Sequence, residues 1–385
     1  MTTDSPRINW IAAGQAFSAH WRSAVGAPPP PRVMVVDDTI TADHAWRLAC
    51  EGTALLWHAD FQNARQLLAA MTRRADRKTR RPASSAQRPP QELFHLHRQA
   101  QAQRARALAM LLVPMNFDYR VPLHRAPDLG QACRAAWGPP DPDFGPSVVA
   151  LRELLGLVGA HEWRKNGVDI PALDATVHPH YGVFSPLRGE YIDLVEDAPL
   201  PPALAANSLA FDIGTGTGVL ALLLVRRGVQ RVIATDNDER ALACARDNVT
   251  RFALGEAIEV CAADLFPDAR AALIVCNPPW VPARASTPIE RAVYDPGSQM
   301  LRGFLSGLRA HLLPGGEGWL ILSDLAEHLG LRTRAELEAM FAAAGLAVLG
   351  RLDVRPRHGK TLDRSDSLYA ARSAEITSLW RLAAA

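Results

Sequence analysis

The chain has 385 residues, 48% of them hydrophobic, with a formal net charge of +2, so it is long enough for two or three domains and can bury substantial cores. A near-neutral balance excludes a globally basic nucleic-acid binder, and any basic patch must be local. The five cysteines (Cys50, Cys133, Cys244, Cys261, Cys276) lack CxxC spacing and read as small buried hydrophobes of a reducing compartment. No apolar run reaches the roughly 20 residues of a membrane span and the start lacks a signal-peptide pattern, so the expected location is cytoplasmic.

In chain order, residues 1 to about 27 are expected to form one helix, stopped by Gly26 and the run Pro28 to Pro31. Arg32 to Val36 (RVMVV) predicts a short strand, and Thr41 to Arg74 carries apolar residues at the spacing of two bundle helices. Between Arg73 and Arg106 ten Arg/Lys face two acids, Asp76 and Glu92. This stretch contains RPASSAQRPP, with the composition of a loop, and is a candidate for phosphate contact beside the plainer reading of a solvated face. Gln99 to Val113 predicts a helix, Pro114 to Pro146 an irregular connection, and Ser147 to Ala160 another helix. The expected organisation is a mainly helical domain over residues 1–170 and a second domain over 171–385.

The second domain opens with HPHYGVFSPLRGEYIDLV (His178 to Val195), in which Ser185 is placed to cap a helix over Gly189 to Val195. Two histidines without a third ligand at metal spacing predict no metal site. SLAFDIGTGTGVLALLL follows, a strand ending at Asp212, a turn with Gly214, Gly216 and Gly218, and a helix. Glycines there let backbone N–H groups and a helix start approach a ligand. RVIAT ends at Asp236, Ala257 to Ala262 leads to Asp264, and AALIVC ends at Asn277-Pro278-Pro279-Trp280. Serial βα units imply a parallel sheet, whose ligands bind outside the carboxyl ends of its strands. Asp212, the glycines, Asp236, Asp264 and Asn277 therefore share one crevice. Asp236 is placed for ribose hydroxyls and Asp264 for an adenine amino group; Thr215, Asn237 and Leu265 adjoin them in the same turns.

The dinucleotide fingerprint requires glycine where this chain has Val219, so an adenine site without pyrophosphate fits better, and S-adenosylmethionine is the expected cofactor. In the Asn277-Pro278-Pro279-Trp280 turn the prolines remove two donors. The Asn277 side chain and the Pro278 carbonyl can then accept both hydrogens of a planar NH2, while Trp280 stacks on the acceptor.

FDIGTGTG with NPPW resembles the class I S-adenosylmethionine-dependent methyltransferases of planar nitrogens: glutamine-N5, RNA guanine-N2 and adenine-N6 enzymes. The resemblance covers about Tyr181 to Arg372. It implies a Rossmann-like seven-stranded sheet, with Asp212, Gly214, Gly216 and Gly218 on the cofactor's methionine and ribose, Asp236 on ribose and Asp264 on adenine. Asn277 to Trp280 would hold the target. FSPLRGEYIDLV is similar to the helix before the glycine motif in the glutamine enzymes, although Leu187 separates Pro186 from Arg188. The favoured acceptor is a glutamine amide of a translation protein. An RNA base is the alternative, and a non-catalytic RNA-binding or assembly factor is the reading of another class.

The remaining segments predict a helix over Gly297 to Leu313, a strand over Gly318 to Ser323, a helix over Thr333 to Ala344, a strand over Leu346 to Val354 and a last strand over Ser367 to Ala371. The basic loop Arg355 to Arg364 is expected on the cofactor side, and Pro282 to Gln299 is placed to act as a lid.

Overall fold

The computed structural model describes residues 6–79, 88–187, 189–285, 288–357 and 363–385, which divide into two compact units. The first comprises Met1–Gln87 and His95–Glu162; the second comprises Arg88–Phe94 and Trp163–Ala385.

In the first unit the expected N-terminal helix is instead a hairpin of β1 (Arg7–Ala12) and β2 (Gln15–Arg22), turned at Ala13 and Gly14 with φ of 48° and 77°. A two-residue turn with positive φ at both positions matches the twist of paired strands. Alanine-rich flanks disguise it as helix. There follow β3 (Arg32–Val36), α1 (Ala42–Cys50), β4 (Thr53–Trp57), α2 (Phe61–Thr79), α3 (Pro90–Leu108), β5 (Leu111–Met115), α4 (Gly130–Trp137), β6 (Ser147–Ala150) and α5 (Leu151–Asn166).

The mainly helical first domain is thus corrected to helices laid on a six-stranded mixed sheet, ordered β1-β2-β6-β5-β4-β3. Three short strands lay hidden in the expected helices. TALLW is separated from α1 by Gly52 at φ 82°, LLVPM follows the end of α3, and SVVA precedes α5. Each is buried on both faces, so it lacks the alternation that marks a strand. Leu55, Trp57, Leu111 and Val113 pack under the helices, whereas Ala54, Leu56, Leu112 and Val148 join Ile8, Ala19 and Trp21 on the other face.

In the second unit a small hairpin of β7 (Val168–Ile170) and β8 (Ala175–Val177) leads to α6 (Glu190–Asp197). The main sheet then alternates: β9 (Leu209–Ile213), α7 (Val219–Arg226), β10 (Arg231–Asp236), α8 (Glu239–Arg251), β11 (Ile258–Ala262), β12 (Ala271–Cys276), α9 (Gln299–His311) and β13 (Leu312–Ser323). After it come α10 (Leu325–His328), α11 (Arg334–Ala343), β14 (Leu346–Val354), α12 (Tyr369–Ala374) and β15 (Thr377–Ala384). The expected strand at Ser367 to Ala371 is corrected: this segment runs into α12, and the last strand is β15.

The seven strands are ordered β11-β10-β9-β12-β13-β15-β14, parallel except for β15. Crossing from β9 outward in both directions creates a topological switch point between β10, β9 and β12, where ligands of open α/β sheets bind. In register, Asp212 lies opposite Ala234 on one side and Val275 on the other, so the ends of three central strands are level. One sheet face is sealed by Leu220, Leu223, Leu224 and Val275, the other by Phe211, Ile274, Phe304 and Leu308.

Candidate active site

Outside these strand ends lies a cleft of about 1130 Å3. Its walls include Asp212, Gly214, Thr215, Gly216, Asp236, Asn237, Asp264, Leu265, Asn277, Pro279 and Trp280. Of the residues singled out from sequence, Pro278 and Gly218 are not on this wall. Pro278 is buried behind the turn, and Gly218 is the N-cap of α7 at φ 82°.

The glycine turn is shaped by two carboxylates. Asp212, 1% exposed, accepts from the Thr215 hydroxyl at 2.6 Å and the Ala221 amide at 3.1 Å through one oxygen. Burial pushes its carboxyl pKa up to about 6, with those hydrogen bonds opposing the rise and Asp236 adding to it. Asp236 accepts from the Gly216 amide at 3.1 Å and the Asp238 amide at 3.0 Å, and burial raises its pKa as well. Gly214 sits at φ 70°, and a Cβ there would lie 2.5 Å from Met300 Cε, a cleft-wall atom. At Gly216 a Cβ would meet nothing within 4 Å, so the turn leaves open space beside its amides. That space, flanked by carboxylates, suits a polar cationic ligand carrying ribose hydroxyls.

Asn277 follows β12, and its Oδ1 accepts from Trp280 Nε1 at 2.9 Å. The sequence reading left this oxygen entirely to the substrate; the indole already occupies one lone pair and orients the amide. A tyrosine or phenylalanine at 280 has no N–H to do this. The second lone pair of Oδ1 is available to another donor.

Asn248, fully buried on α8, escaped the sequence reading. Its amide nitrogen donates to the Thr217 carbonyl at 3.0 Å, and its oxygen accepts from the His178 amide at 2.8 Å, tying the glycine turn to the segment before α6. The available signal was an asparagine on the apolar face of a helix. From that tied segment Gly182, Val183 and Phe184 reach the cleft wall. Ser185 does not cap α6, whose N-cap is Gly189 without a side-chain bond. His178 and His180 are engaged by the Arg164 carbonyl at 2.7 Å and Asp247 at 3.0 Å.

The segment after Trp280 contributes Val281, Glu290 and Tyr294 to the wall. Asp295, 6% exposed, accepts from the Met300 and Leu301 amides at 3.1 and 3.2 Å and so anchors the start of α9. Phe94 also lines the cleft, its ring 6.4 Å from that of Tyr294. Arg355 and Arg357 are not on the wall; Arg357 lies 3.7 Å from Asp193. Residues 358–362 of that basic loop, Arg188, and residues 80–87 of the Arg-rich stretch lie outside the described residues. Within the stretch, Arg74, Arg88 and Arg104 pair with Asp43, Glu92 and Asp76. No helix among the described residues is long and apolar enough to cross a membrane.

A parallel-dominated sheet with this strand order, a glycine turn after its first strand and an Asn-Pro-Pro turn after its fourth defines a Rossmann-like methyltransferase architecture. Residues 174–344, which lie within the second unit, match the family model described as "Methyltransferase small domain". The chain is 32% identical over 200 residues to a release factor glutamine methyltransferase of Cereibacter sphaeroides, covering 48% of this chain and 65% of that protein. It is 39% identical over 130 residues to the protein of that name from Mycolicibacterium smegmatis, 32% of this chain and 44% of that one. A Bacteroides fragilis tRNA1(Val) (adenine(37)-N6)-methyltransferase is 43% identical over 81 residues, 20% of this chain and 34% of that protein. The chain spans less than two thirds of the length of each of these relatives.

Proposed function

We propose that the chain is an S-adenosylmethionine-dependent N-methyltransferase acting on a planar NH2 nitrogen, the favoured acceptor being a glutamine side-chain amide of a translation protein in the cytoplasm. The observation that carries this reading is the presence of Asn277 and the Gly214–Gly216 turn with Asp236 on the wall of one cleft. The likeness to release factor glutamine methyltransferases supports the acceptor.

Bound at the turn, S-adenosylmethionine supplies an electrophilic methyl group. Asp236 would accept the ribose hydroxyls, the Gly216 side of the turn would leave its open space to the amino-acid end, and Asp264 with Leu265 would hold the adenine. An amide or ring-bound NH2 is a weak nucleophile because its lone pair is delocalised. The second lone pair of Asn277 Oδ1 would accept one of its hydrogens, which favours a pyramidal nitrogen and turns the lone pair toward the methyl. Trp280 stacks on the planar acceptor and holds Oδ1 in place through its N–H. The nitrogen becomes acidic as it is alkylated, so its proton leaves to solvent without a strong base.

The reading is tested by incubating the protein with methyl-labelled cofactor and host lysate. Label that survives ribonuclease and is lost to protease supports the protein acceptor; label lost to ribonuclease turns the assignment to RNA. A second reading, an RNA base amine, is favoured by the aromatic wall of Trp280, Phe94 and Tyr294, because stacking on aromatic rings contributes about 1–3 kcal/mol per base.

The buried Asp212 makes cofactor binding pH-dependent. Its folded pKa of about 6 lies above the ordinary value of 3.8, so it favours the folded state below about pH 4 and that contribution declines through pH 6. A cationic ligand selects the ionised carboxylate. The Kd of S-adenosylmethionine is therefore expected to rise by up to about tenfold per pH unit below pH 6, measured by calorimetry between pH 5 and 7.5. Asp212→Asn should flatten that limb; an unchanged profile would place the titration elsewhere.

A further inference from the structure

The first unit has a cavity of its own. β1 returns against β3, the strand at the opposite end of the hydrogen-bonded order, so the six strands curl around Ile8, Leu56, Leu112 and Val148. The carboxyl ends of β3, β4 and β5 open into a cavity of about 1180 Å3, to whose wall every strand of the curl contributes. Mouths of curled sheets are frequent ligand sites. Apolar rims that folding leaves uncovered point the same way: Phe17 on one lip is 43% exposed and Met34 on the other 42% exposed.

The chemistry of the lining narrows the ligand. Trp10 and Phe17, paired across the hairpin, present stacked rings with centroids 5.7 Å apart and planes 10° from parallel, an aromatic surface on which a flat heteroaromatic ring can stack. At the end of β3, Asp37 Oδ1 accepts from the Thr39 amide at 2.9 Å and its hydroxyl at 2.6 Å, which fixes the carboxylate. Among the described residues no hydrogen bond engages Oδ2, so it can take a hydroxyl pair. His44, His58 and Asn116 add hydrogen-bonding side chains to the wall. Among the described residues no lysine or arginine lines the cavity, so a phosphate would meet a carboxylate without a compensating cation.

We propose that this mouth binds an unphosphorylated nucleoside, its base stacked on the Trp10–Phe17 platform and its ribose hydroxyls on Asp37. The ligand is a free nucleoside, since the 3′-terminal nucleoside of an RNA has the same diol but carries a 5′-phosphodiester. The site is separate from the cleft of the second unit and does not depend on the function proposed for it.

The test is equilibrium dialysis of radiolabelled adenosine against the full-length protein, with S-adenosylhomocysteine saturating the other cleft. One adenosine equivalent is expected beyond that cleft, weakened at least about tenfold in Asp37→Asn and in Phe17→Ala, both at exposed positions. 5′-AMP should bind about tenfold more weakly through repulsion from Asp37, and 2′,3′-dideoxyadenosine should not bind. A short oligoadenylate ending in a 3′-hydroxyl should not compete, and competition equal to that of free adenosine would overturn the free-nucleoside assignment. The proposal is overturned if no such equivalent exists, if both substitutions leave it intact with melting temperatures unchanged, or if the dideoxy compound binds equally well.

Discussion

Asn277→Ala is expected to lower methyl transfer by about a hundredfold to a thousandfold while leaving the Kd of S-adenosylmethionine within about twofold, the pattern of an interaction made mainly in the transition state. The amide oxygen sits at the end of β12, beyond the glycine turn that would hold the cofactor. It is already oriented by Trp280 Nε1 at 2.9 Å, so removing it leaves an unpaired indole N–H rather than a collapsed turn. Trp280→Phe separates the two duties of the aromatic residue, because stacking survives and the hydrogen bond to Asn277 does not. Its turnover should fall between that of the parent and that of Asn277→Ala. Single-turnover transfer and calorimetry read the two quantities separately. Equal losses of binding and transfer in Asn277→Ala would mean that the asparagine only shapes the cleft.

Asp236→Ala should act in the opposite way, weakening S-adenosylmethionine by about a hundredfold, as expected for two charge-assisted hydrogen bonds to ribose, with little change in turnover at saturating cofactor. The side chain also holds the Gly216 amide at 3.1 Å, so part of the loss comes from a loosened turn. Asp236→Asn distinguishes the contributions. An amide can still accept through oxygen but loses the charge, so its affinity should lie between those of the parent and the alanine variant. A Kd unaffected by either substitution would remove ribose from this position.

Much of this cleft was legible before any coordinates. Runs such as AALIVC and RVIAT are short, apolar and closed by Asp, Asn or glycine, so the end of each strand could be read from the residue that terminates it. Once the strands were parallel, those terminators had to share an edge. The loops around them were less legible. Ser185 resembled a helix cap, yet Gly189 occupies that position, and the final strand was expected a turn of helix too early, at Ser367 rather than Thr377.

Local pattern, then, determined the Rossmann-like alternation of the second unit and placed Asp212, Asp236, Asp264 and Asn277, because strand ends and glycine turns are encoded by neighbours in the chain. Tertiary structure alone decided three other matters. It turned the expected N-terminal bundle into a curled sheet, since strands as short as SVVA and LLVPM are specified by what they pair with. It brought Asn248 under the glycine turn, and Phe94 and Tyr294 side by side, from positions far apart in sequence. It also gave Asn277 a hydrogen-bonded partner in Trp280, because a rotamer and a 2.9 Å contact follow from packing and not from composition.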